Sequence, residues 1–245
     1  MYINEALIRR VFDEMVKYRT ALAKYLIVDE DDEEEEEEGV DYRVLGDLII
    51  KNMPWPVGVE LRRLFSGSMR QLDRMRLDQI FKTIERIMQF FSFVMVTQLW
   101  KLKREGKVEI PESFSKDFAS RISILSMGNF TWMMRSVHKI INQSEGEFFM
   151  TEMAENFDKK FFAGLDFWVP ERNEIGHYQI NLTQEEIERR CVEYEEKLTA
   201  ILCKLAFICK YKLVSVKEIQ VIKPKFQEAK FSHVIGLLNS SDSDF

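Results

Sequence analysis

The stretch LDRMRLDQIFKTIERIMQFFSFVMVTQL, residues 72–99, decides the fold. Apolar positions recur at Leu72, Met75 or Arg76, Ile80, Ile84, Ile87 and Met88, Phe91, Met95 and Leu99. Steps of three and four put such residues on one face of an α-helix. No Gly or Pro interrupts the run, and it predicts a helix from about Met69 to Glu105, ended by Gly106 and Pro111. Between Ile87 and Val96 the sequence is apolar nearly all round, which predicts a central helix enclosed by others. That window is too short to cross a bilayer.

Towards the amino terminus, Ile3, Leu7, Val11, Met15, Tyr18, Leu22 and Leu26 form a second stripe and predict a helix over 3–27. A short helix over 42–52 follows. MPWPVG at 53–58 breaks it, and another begins near Val59. Trp55, between two prolines, is read as a wedge capping the core. Towards the carboxyl terminus, helices are expected near 115–125, 129–142 and 151–165, then a loop break at Pro170. Thr183 and Glu186 have capping-box spacing and open a last helix running to about Tyr211. Beyond it, Val214, Val216, Ile219 and Val221 alternate only in part, and FSHVIGLL at 231–238 is a second apolar run. The expected fold is all-α: a multi-helix bundle over 1–212 with a short β-forming tail over 213–245. Two strands are too few for an independent sheet. The tail therefore either packs on the helices or begins a further β-rich domain.

Composition agrees with a globular helical chain. Of 245 residues 46% are apolar, with only ten Gly and five Pro. Ten acidic residues run unbroken from Asp29 to Glu38, so the rest of the chain carries +4 although the whole carries −6. Self-repulsion predicts a solvated, disordered loop there; the functional alternative is a nucleic-acid mimic over a basic groove. The start, MYINEALIRR, lacks the pattern of a secretory signal. Cys191, Cys203 and Cys209 are odd in number and lack zinc spacing, so a reduced, cytoplasmic setting is expected, without metal or cofactor.

The chemistry-bearing stretch is Arg172-Asn173-Glu174-Ile175-Gly176-His177. It reads either as a solvated polar corner, with Arg172 paired to a nearby carboxylate, or as a site. Arg172 and Asn173 followed by His177, ahead of a long amphipathic helix in a helical chain, resemble the Arg–polar–His signature of the HEPN superfamily, over about residues 70–211. The resemblance implies an α-helical bundle that pairs as a homodimer. It further implies a metal-independent ribonuclease in toxin–antitoxin or antiviral defence. In members without activity it implies a dimerisation or binding module for a protein partner such as an antitoxin or effector domain. Arg172, Asn173 and His177 would then be catalytic.

Elementary chemistry agrees. Metal-free RNA cleavage needs a base for the 2′-hydroxyl, an acid for the leaving oxygen and positive charge on the phosphate. An imidazole titrates near pH ~6.5, a guanidinium forks onto phosphate oxygens, and the Asn173 amide can hold an oxygen. One histidine is thin for both acid and base, so a symmetric dimer is expected to supply two. Tyr178, Arg70 and Arg74 are the further candidates for RNA contact, the arginines as a phosphate-tracking face. No membrane contact is expected.

Overall fold

The computed structural model describes residues 4–26, 40–178 and 182–240, without the side chains of 175–178. The acidic run 29–38 lies outside the described residues. The chain is a helical bundle with a two-stranded antiparallel sheet at its carboxyl end. Its helices are α1 (Glu5–Tyr18), α2 (Tyr42–Asn52), α3 (Trp55–Leu64), α4 (Arg74–Arg104), α5 (Glu112–Arg121), α6 (Met127–Asn142), α7 (Met153–Asn156), α8 (Lys159–Tyr178) and α9 (Gln184–Lys204).

The opening stretch forms α4, a 31-residue spine about 46 Å long that packs against α3, α6 and α9. Asp73 caps its start by accepting the Arg76 backbone N–H at 3.0 Å. Its end is a left-handed Gly106 at φ 73°, with Lys107 and Gly106 N–H returning to the Leu102 and Lys103 carbonyls. Ile80, Ile84, Ile87, Met88, Phe91, Met95 and Leu99 are all buried, as their spacing predicts. The first turn resolves the remaining choice against hydrophobicity: Met75 is 58% exposed and Arg76 fully buried. The Arg76 guanidinium donates to Asn4 Oδ1 and the Met69 carbonyl, each at 2.6 Å, and pairs with the Glu195 carboxylate. A charge is tolerated there because the amino terminus and α9 bring acceptors to it.

Several boundaries differ from expectation. The first helix stops at Tyr18 and continues as a 3-10 turn over Thr20–Tyr25. α3 begins at Trp55, with Pro56 in its first turn, where a missing N–H costs nothing. The last helix ends at Lys204 and tightens into a 3-10 turn over Ala206–Lys210. Its Thr183–Glu186 capping box makes both reciprocal bonds. Most consequential, Pro170 does not break the chain: α8 runs through it. An interior proline costs a helix about 3 kcal/mol, and tertiary contacts on either side offset that. Trp168 is fully buried, edge-on to Phe81 at 5.7 Å and Tyr194 at 5.5 Å. Past the proline, Glu171 and Glu174 are gripped by α9.

The tail forms β1 (Val214–Ile222) and β2 (Lys230–Leu237), paired antiparallel. The ribbon is rooted on α3: Trp55 N–H donates to the Leu238 carbonyl at 3.1 Å, and the buried Ser240 hydroxyl donates to the Trp55 carbonyl at 3.3 Å. Gly58 permits that approach, since a Cβ there would stand 2.8 Å from Ser240 Oγ. The partial alternation of β1 now has a cause. The pairing shifts between Val216 and Glu218, leaving Lys217 as a bulge. Val214 and Val216 before the bulge, and Ile219 and Val221 after it, therefore share one face. Their cross-strand partners Leu237, Ile235, His233 and Phe231 complete it. The opposite face carries Ser215, Glu218, Gln220, Ser232 and Lys230, with Gly236 and only two apolar side chains, Val234 and Ile222. The ribbon is amphipathic, and its apolar face lies open, with Phe231 62% exposed.

Candidate functional site

The motif lies on the last turns of α8, not in a loop. Glu171 and Glu174, three apart, face α9. There Arg190 Nη2 donates to Glu174 at 2.7 Å, and Nη1 reaches Glu171 at 3.5 Å and the Tyr194 hydroxyl at 3.1 Å. The Tyr194 hydroxyl donates to Glu171 in turn. Burial and that carboxylate raise the Tyr194 pKa, so the phenol stays protonated. For Arg190, burial works against the charge, but the Glu174 contact outweighs it and the pKa rises. Arg172 and Asn173 are exposed. Among the described residues the pairing expected for Arg172 in a solvated corner is absent, and Glu171 and Glu174 pair with Arg190 instead.

Helix geometry separates the three motif positions. Asn173 and His177 are four apart and share a face, while Arg172, five before His177, lies about 140° round the axis. The side chains of His177 and Tyr178 lie outside the described residues. Arg70 is exposed ahead of α4, and Arg74 is paired with Asp78 at 2.9 Å. Gln184 donates to the Leu72 carbonyl at 3.1 Å and Cys191 to that of Asp73 at 3.4 Å, which seats the start of α4 against α9. The start of α4 and the end of α8 thus meet the same half of α9. Arg70, Arg74 and Arg172 occupy one end of the bundle, Arg74 engaged by Asp78 and Arg70 by a contact of its own.

The other titratable groups have structural settings. His138 is half-buried, stacked on Phe148 at 5.1 Å with Nε2 3.3 Å from the Met153 carbonyl; burial lowers its pKa. Burial pushes all three cysteine thiols up to about 11, which leaves no thiolate nucleophile at neutral pH. Among the described residues no cluster of His, Cys, Asp or Glu is placed to hold a metal, and no helix is long and apolar enough to cross a membrane.

A second feature escaped sequence reasoning. A groove of about 1250 Å³ runs along α4 from Arg86 to Glu105, walled by α3 and by residues 145–149. Trp55, Phe93 and Phe149 stand exposed on it, so Trp55 is a groove wall and not a core wedge. Gln98 also lines it; its amide N–H₂ donates to the Glu147 carbonyl at 2.7 Å, while its buried Oε1 has no partner among the described residues. The all-round apolarity of 87–96 was the available signal. It marks a helix covered on every side, and here one side is uncovered.

Comparison with protein-family models, curated proteins and solved structures finds no match to this chain.

Proposed function

We propose that the α8 end of the bundle is the RNA-cleaving site of a metal-independent endoribonuclease acting as a dimer, in bacterial stress or antiviral defence. One observation carries the reading. Arg172 is exposed, and the motif's carboxylates Glu171 and Glu174, one and two positions away on the helix, do not face it and bind Arg190 on α9, so among the described residues its fork of donors is open to a phosphate. Asn173 and His177 share the neighbouring face, Asn173 to hold an oxygen and His177 to move the proton. Arg172 and His177 diverge round their own helix, so a second copy across a two-fold axis supplies the missing angle and the second imidazole.

The test is cleavage of RNA by the purified chain in EDTA. Arg172→Ala and His177→Ala should each abolish cleavage, and Arg172→Ala should leave the Tm unchanged. Undiminished cleavage in both variants would overturn the assignment. The open ribbon face and the α4 groove favour a second reading, a non-catalytic partner-binding module, in which the wild-type chain cleaves nothing.

A further inference from the structure

The ribbon and the groove each leave apolar surface open, and each has the dimensions of the other. A nine-residue strand spans about 30 Å and two strands about 10 Å. The α4 segment from Arg86 to Glu105 rises about 29 Å along the groove. Trp55 belongs to both, since it walls the groove and roots the ribbon through its backbone bonds to Leu238 and Ser240. We propose that a second copy of this chain covers both surfaces, each copy laying the apolar face of its β1–β2 ribbon into the α4 groove of the other.

Areas choose this arrangement over the simpler one. The ribbon face covers roughly 300 Å². Two ribbons stacked on each other would remove only about 600 Å² from water, half of what a stable pair of proteins needs. Reciprocal seating makes two contacts with two sides each, about 1200 Å² in total, which reaches that range. The bulge at Lys217 is the strongest sign of a covered face, because without it β1 would split its apolar residues between two sides. This contact lies on the stretch of α4 beyond Arg86, away from the α8 end, so it is a second interface beside the α8 pairing of the nuclease reading, and its test reads ribbon and groove variants that leave the α8 end untouched.

The experiment is light scattering on the eluting full chain at tens of micromolar. Phe231→Glu in the ribbon and Phe93→Glu in the groove are both at exposed positions, and a thermal melt checks that each variant folds. Each should halve the wild-type mass. Mixed in equal amounts, the two variants should pair only weakly, with a mass that rises above that of either variant alone as concentration increases, because the pair keeps one intact groove and one intact ribbon. A wild type that elutes as a single chain overturns the proposal. So does a Phe93→Glu variant of unchanged mass, which would mean ribbon on ribbon. Sedimentation with phosphatidylserine vesicles that is lost in Phe231→Glu, with no change in mass, would assign the face to a lipid surface and overturn it too.

Discussion

Arg190 Nη2 stands 2.7 Å from Glu174 Oε1, and with its reach to Glu171 this contact ties the part of α8 beyond Pro170 to α9. Arg172 lies one and two positions from those carboxylates and faces neither, so its exposure does not depend on the seam. The part of the seam is mechanical: it anchors the helix end that carries the motif.

Arg190→Ala tests this. It removes a largely buried guanidinium and strands Glu171 beside Tyr194. The loss should be about 2–3 kcal/mol, which for a chain of this size lowers the Tm by roughly 4–12 °C. Differential scanning calorimetry measures it. The salt dependence of single-stranded RNA binding should stay unchanged, since no phosphate contact is lost; a shallower slope would mean that Arg190 itself meets the phosphate.

Arg76→Met should be among the most damaging single changes. It leaves Glu195, Asn4 and the Met69 carbonyl without their shared donor, at about 3–5 kcal/mol. Adding Glu195→Leu should restore at least about 1 kcal/mol, since an unpaired carboxylate at a core edge costs more than an apolar pair. Urea titrations of the two variants give the difference.

His138 predicts a pH dependence. Burial lowers its folded pKa below the ordinary ~6.5, so the unfolded chain takes up the proton first. Its contribution is complete above pH ~6.5 and is lost as pH falls through that value towards the folded pKa. The Tm should decline between about pH 7.5 and 5.5, and His138→Gln should flatten that part of the curve.

Pro170→Ala should stabilise the protein by about 1–3 kcal/mol, because alanine supplies the N–H that the Asp166 carbonyl lacks in an unbroken helix. A destabilised variant would mean that α8 needs the proline's fixed angle.

Period and caps made most helices legible: the α4 stripe, the Thr183–Glu186 box and the Gly106 stop lie where local rules put them. The departures share a cause in tertiary contact. Spacing alone does not choose between adjacent Met75 and Arg76, because the choice rests on Asn4 and Glu195 arriving from elsewhere. The rule that proline ends a helix gives way at Pro170 to Trp168 and Arg190. The motif was visible as a pattern, yet the residue that anchors its helix, Arg190, sits one helix later and belongs to no pattern. The groove was hidden because an apolar helix face reads alike whether it is buried or waiting for cover.

At Lys217 strand β1 holds one residue more than its partner strand. Deleting codon 217 would leave Val214, Val216, Ile219 and Val221 in plain alternation on the same side, whereas straightening the strand with that residue retained would turn the first pair over relative to the second. The phase of the ribbon is thus kept by looping a residue out, and loss of that residue is the one change of length it absorbs.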